Sequence, residues 1–97
     1  MAKSAEDIKA EKLDNIRIMK LFRSRCVGCM GNATQVHEII PRSRSKRATA
    51  MKNNRIPLCA SCHNRAHFNG YTQDKADFLR NKAIERLIWF DINLEDW

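Results

Sequence analysis

A chain of 97 residues with a formal net charge of +7 has room for one domain, and it buries only about 60–65% of its unfolded surface, so its core needs a staple. No stretch approaches the roughly eighteen apolar residues of a membrane span, and the opening MAKSAEDIKAEKLDNIRIMK offers no apolar run for a signal peptide. These features argue against a membrane protein or a secreted disulfide scaffold. They lead us to expect a cytoplasmic protein, in a compartment where thiols stay reduced and paired cysteines hold metal.

Residues 5 to about 22 read as a first helix. Ser4 caps it, Glu6 and Asp7 occupy its first turn, and Leu13, Ile16, Met19 and Phe22 fall near one face. CVGCMGN follows as a tight turn whose glycines, Gly28 and Gly31, let a cysteine knuckle form. TQVHEII (34–40) reads as a strand ended by Pro41, RSRSKRATAMKNN (42–54) as a basic loop without periodicity, and RIPL (55–58) as a second strand. Residues 60–68 can be helical and Asn69–Gly70 stop them. Thr72 or Asp74 then caps a last helix, 74 to about 90, with Phe78, Leu79, Ala83, Leu87 and Ile88 on its apolar side. The apolar tail through Trp97 is expected to pack against the first helix; docking of a partner protein or a second copy is the alternative. No internal repeat or linker divides the chain, so residues 1–97 are read as a single domain.

The charge is concentrated. Residues 39–73 carry seven basic and no acidic side chains, against seven and five in 1–38 and four and six in 74–97. A localised positive field fits a polyanionic partner, above all nucleic acid; a merely solvated surface is the plain alternative. Arg42, Arg44, Lys46, Arg47, Lys52 and Arg55 are the candidate phosphate contacts. Nothing resembles a base-reading element, so weak sequence specificity is expected.

Cys26-x-x-Cys29 and Cys59-x-x-Cys62 are two pairs of equal spacing. A two-residue gap lets both sulfurs of a knuckle reach one tetrahedral ion, and two knuckles close the site, so a structural Zn²⁺ is expected. Free or disulfide-linked cysteines are the alternative. All three histidines lie in the same region: His63 and His67 stand i, i+4 on the short helix and His37 sits on the strand before the basic loop. This spacing points to a second, open metal site of His37, His63 and His67, with positions left for water or a phosphate oxygen.

Cys-x-x-Cys, then HEIIPRSR, then NNRIPLCASCHNRAH together resemble the HNH endonucleases, the His-Me finger family, over Cys26 to about Gly70. The flanking helices carry no family signature. The resemblance implies an α+β fold, a small ββα-metal finger with zinc knuckles flanked by an N-terminal and a C-terminal helix. It places His37 as the first metal ligand, at the end of the first strand. Asn54 becomes the asparagine that pins the loop orienting the catalytic base, and His63 and His67 the ligands on the helix. The four cysteines match the structural zinc site of many members.

One position departs from the pattern. Glu38 stands where the family usually has the histidine that deprotonates water. A carboxylate has an ordinary pKa near 4.3, roughly two units below imidazole, and is the weaker base. Three readings remain open: Glu38 in the base position with His37 as ligand, His37 as base with Glu38 reaching the metal, or an inactive site on a DNA-binding scaffold. The resemblance thus implies a metal-dependent endonuclease, nicking or cutting duplex DNA. Its working ion would be Zn, Ni, Mn, Co or Mg, with imidazoles suiting the first four better. Small stand-alone HNH proteins of this kind are encoded by phages and mobile elements, which implies a bacterial or phage-infected cell. The alternative is a zinc-stabilised nucleic-acid-binding or regulatory module that no longer cuts.

Overall fold

The computed structural model describes residues 4–97. The elements run α1 (Ala5–Leu21), β1 (Gln35–Glu38), α2 (Lys46–Ala50), β2 (Arg55–Leu58), α3 (Ala60–His67) and α4 (Gln73–Trp89), ending in a short 3₁₀ turn at Leu94–Asp96. Strands β1 and β2 pair antiparallel, with His37 opposite Ile56 and Glu38 opposite Arg55. Directly opposed residues share a face and alternate residues change face. Arg55 meets α1 through Asp14, and His37 meets the histidines of α3. Glu38, the last residue of β1, lines the cleft beside His37 although its partner Arg55 faces α1. This is a ββα unit with flanking helices, and among the described residues no helix is long and apolar enough to cross a membrane.

Ser4 caps α1 as expected, its hydroxyl accepting from the Asp7 amide at 3.1 Å. The buried face differs from the expected one. Ile18 and Phe22 are each 1% exposed, whereas Leu13 and Ile16 remain 59% and 52% exposed. The reason is Arg55. Its guanidinium reaches back from β2 to Asp14 at 3.1 Å and lies 3.9 Å from Glu11. The inward stripe of α1 is thus Glu11, Asp14, Ile18 and Phe22, half of it carboxylate, and hydrophobic spacing alone cannot find it.

The basic loop is not wholly irregular. Ser45 accepts from the Ala48 amide at 3.1 Å and starts the five-residue α2, whose Ala48 is buried. In α4, capped by Thr72, the buried face is Ala76, Leu79, Ala83 and Leu87. Phe78 and Ile88 lie outside that 3.6-residue stripe and are 58% and 65% exposed. The tail packs as expected through Trp97: its ring meets Phe22 edge-on at 6.2 Å, and its indole N–H donates to the Arg55 carbonyl at 2.9 Å. Trp97 thereby ties the C-terminus to α1 and β2.

Candidate metal centres

The first knuckle is closed by its own backbone. The Met30 amide donates to the Cys26 carbonyl and the Cys26 amide to the Gly31 carbonyl, both at 2.8 Å. The Val27 amide donates to the Pro57 carbonyl at 3.0 Å, fastening the knuckle to β2. The left-handed residue here is Met30, φ 65°, and not a glycine. Gly28 is needed for room instead: a Cβ on it would stand 2.8 Å from the Cys62 sulfur. The second knuckle opens α3, where Cys59 is the N-cap and accepts from the Cys62 amide.

All four sulfurs lie within 4.8 Å of one another, and Cys29 and Cys59 are 3.7 Å apart. A tetrahedron with ~2.3 Å metal–sulfur arms has edges of about 3.8 Å, so the cluster is compatible with a structural zinc and too open for disulfides. Donation from the Cys62 amide pulls the Cys59 thiol down to about 7, while burial beside the other sulfurs pushes Cys62 up to about 12. An ion bound here would displace that proton. From outside the knuckle, Arg86 of α4 donates to the Val27 carbonyl at 3.0 Å and the Gly28 carbonyl at 3.4 Å.

Further along α3 the three histidines converge. Their candidate ligand nitrogens also lie within 4.8 Å of one another, and the Nε2 atoms of His63 and His67 are 3.1 Å apart. Metal–nitrogen arms of ~2.0–2.1 Å would set tetrahedral nitrogens about 3.3–3.4 Å apart, so the rings fit one ion. His37 is 8% exposed, and burial, then the nearby His67 and His63, hold its pKa down to about 4. Burial and His67 lower His63 as well. At neutral pH both carry the uncharged form that a cation requires.

Asn54, 2% exposed, grips the chain just beyond β1. Its side-chain oxygen accepts from the Ile40 amide at 2.9 Å, its side-chain nitrogen donates to the Ile40 carbonyl at 3.1 Å, and its own carbonyl accepts from Ile39 at 2.8 Å. A cleft of about 360 Å³ borders the imidazoles and is lined in part by His37, Glu38, Arg44, His67, Tyr71 and Lys75. The Glu38 Oε2 atom is buried and makes no hydrogen bond among the described residues.

The six basic candidates divide. Arg55 is not an exposed phosphate contact: it is 8% exposed and committed to Asp14 and Glu11, because a guanidinium buried between strand and helix needs carboxylates. Lys52 donates to the Glu95 carbonyl. Lys46 and Arg42 border a different cleft, lined also by Asp7, Glu11 and Asp14. Arg44 alone of the six lines the histidine cleft, and Arg47 is exposed on α2. Tyr71, Lys75 and Arg86 are the neighbours that sequence reasoning passes over. An isolated tyrosine after a helix stop, or one arginine among several on a helix, carries no spacing signal.

No curated protein and no solved structure matches the chain. A family model described as HNH endonuclease matches residues 23–69, from just before the first knuckle to the end of the turn after α3. This match, with the ββα unit and the four-cysteine cluster it encloses, places residues 23–69 of the chain in the HNH endonuclease family.

Proposed function

We propose that the protein is a metal-dependent endonuclease that hydrolyses DNA phosphodiester bonds with little sequence preference of its own. The observation that carries this reading is the convergence of His37, His63 and His67 beside an accessible cleft that also holds Glu38. A divalent cation held by these imidazoles would supply Lewis-acid stabilisation of charge on the phosphate and the leaving oxygen. The nitrogen-rich set favours Zn, Ni, Co or Mn over Mg.

Around that centre the chain's own residues have separable tasks. Asn54 holds Ile39 and Ile40 fixed, so that His37 and Glu38 immediately before them keep one orientation. Glu38, with an unspent carboxylate oxygen, orients water and takes its proton. The exchange of roles, with His37 as base and Glu38 as ligand, is the alternative within the same reaction. Arg42, Arg44 and Arg47 hold phosphates. The whole chain acts as one domain in the cytoplasm, where its four cysteines stay reduced. The exposed Ile88 and Trp89 offer a place for a protein partner or a second copy.

A second reading has its own support in Glu38, which occupies the position of the usual histidine: a zinc-stabilised nucleic-acid-binding module without cleavage. Purified protein incubated with supercoiled plasmid across Mg²⁺, Mn²⁺, Co²⁺, Ni²⁺ and Zn²⁺ separates the two. The nuclease reading expects nicked or linear product with at least one ion and its loss in His63→Ala. Intact plasmid with every ion selects the binding module, and product that persists in His63→Ala belongs to a contaminant.

A further inference from the structure

Arg44 differs from the other cations of its loop. The Pro41 carbonyl accepts from the Arg44 amide at 2.9 Å and the Ser45 amide at 3.2 Å, making a compact turn just beyond β1. From that turn the guanidinium reaches over the ring of Tyr71, 5.4 Å from its centroid. This is within the range of a cation–π contact, which restrains the group without using its N–H donors. Among the described residues the guanidinium has no hydrogen-bond acceptor and no carboxylate partner, although Glu38 lines the same cleft. Lys52 and Arg55, by contrast, are tied to acceptors of the fold.

The ring is itself held from two directions. The Tyr71 hydroxyl donates to Gln73 at 3.1 Å, and the Gln73 amide nitrogen donates to Asp77 at 3.0 Å. The turn carrying it, left-handed at Asn69 and Gly70, is fastened by the Lys75 ammonium, which donates to the Phe68 and Gly70 carbonyls. A planar set of donors with nothing to bond, held at the mouth of an opening lined by imidazoles, is suited to bidentate capture of phosphate oxygens. Tyr71 and Lys75 lie outside the segment that matches the family model.

We propose that Arg44 grips a nucleic-acid phosphate at the three-histidine cleft, and that Tyr71 and Lys75 are positioning residues that hold its guanidinium there. The proposal rests on the nucleic-acid reading of this site but not on cleavage.

Affinity for a short labelled DNA duplex, read by fluorescence anisotropy over a range of salt, tests it in the full-length zinc-loaded chain carrying His63→Ala. Adding Arg44→Ala should weaken binding about tenfold and flatten the slope of log affinity against log salt by about 0.9. Arg44→Lys should restore the slope but not the full affinity. Tyr71→Leu should weaken binding less than Arg44→Ala, the double variant should bind no more weakly than Arg44→Ala, and Tyr71→Phe should bind like its parent. Unchanged zinc content and melting temperature in Arg44→Ala would exclude a folding defect. Lys82→Ala removes the same charge from α4, where Lys82 pairs with Glu85, and should bind like its parent.

The proposal is overturned if Arg44→Ala binds normally, if Lys82→Ala loses as much, or if the Arg44 and Tyr71 effects simply add. An intact plasmid with every ion, alongside the Arg44 effect, removes the nuclease reading and leaves this one standing. Cleavage by the parent with normal binding by Arg44→Ala does the reverse.

Discussion

In the proposed reaction, Glu38 is the residue on which the chemistry turns. Its Oε2 is shielded from solvent without a hydrogen bond, an arrangement that costs free energy unless a ligand completes it. A water or a metal-polarised hydroxyl would complete it. If Glu38 handles the proton, Glu38→Gln keeps the shape, loses the basicity and should lower kcat by about 10²–10⁴ with little change in DNA affinity. Glu38→His should recover part of that loss, since it puts an imidazole base at the same position. Equal rates for Glu38→Gln and the parent, in a plasmid-nicking assay across pH, would transfer the base to His37. His37 itself titrates in a direction set by its surroundings. With its pKa held to about 4 in the fold, against about 6.5 when unfolded, the unfolded chain binds more protons between those values. Protein with zinc on its four cysteines and no ion at the histidines should therefore lose stability as pH falls from about 6.5 towards 4 and gain none from this group above about 7. Thermal melts of parent and His37→Gln should diverge within that window, with the variant showing the smaller pH slope.

At the scale of elements, caps, turn signals and cysteine spacing were legible because each is a local rule. Ser4, Thr72, the two Cys-x-x-Cys pairs and the Asn69–Gly70 stop needed nothing from elsewhere in the chain. Faces were less legible, since burial depends on what arrives opposite. Leu13 and Ile16 lie outside because Arg55, 41 residues beyond Asp14, claims the inward carboxylates of α1. The same contact takes Arg55 out of the basic patch that its charge suggested. The histidine cluster was visible as i, i+4 spacing on α3, but the approach of His37 is a matter of sheet register: it sits opposite Ile56, on the α3 side. That register is held at its loop end by Asn54, whose side-chain amide pairs with both backbone groups of Ile40. Asn54→Ala leaves two backbone groups unpaired near the core and should cost about 1–3 kcal/mol of stability. Chemical denaturation would measure it. Nuclease activity should fall further than unfolding explains, because residual folded protein no longer holds Glu38 and His37 in one place. A loss of activity fully matched by the loss of folded fraction would reduce Asn54 to a purely structural role.

The whole molecule is organised around its cysteines. Strands β1 and β2 have four residues each, and a two-stranded ribbon of that length is not stable alone. The apolar core, centred on Ile18, Phe22, Val27, Ile56, Leu58 and Leu87, draws at most two large side chains from any one segment. The knuckles join these segments: Cys26 and Val27 belong to the core itself, the Val27 amide is bonded to β2, and Arg86 anchors α4 to the Val27 and Gly28 carbonyls. Removing an ion from the four sulfurs would free the turn between α1 and β1 together with the start of α3, and α4 would lose its polar hold on the rest. Chelation should therefore unfold the protein cooperatively, rather than loosen one corner, and circular dichroism should show loss of helix along with release of one equivalent of zinc. Because zinc binds thiolates and free thiols are mostly protonated at pH 7, re-addition of zinc must release protons, and apparent affinity should rise with pH. Arg86→Ala should quicken zinc loss to a chelator while leaving Ni²⁺ or Co²⁺ binding by the zinc-loaded protein unchanged, since its guanidinium bonds the Val27 and Gly28 carbonyls and, among the described residues, none of the three histidines. Helix content that survives complete removal of zinc would show that the apolar core holds the fold by itself and that the sulfur cluster has some other purpose.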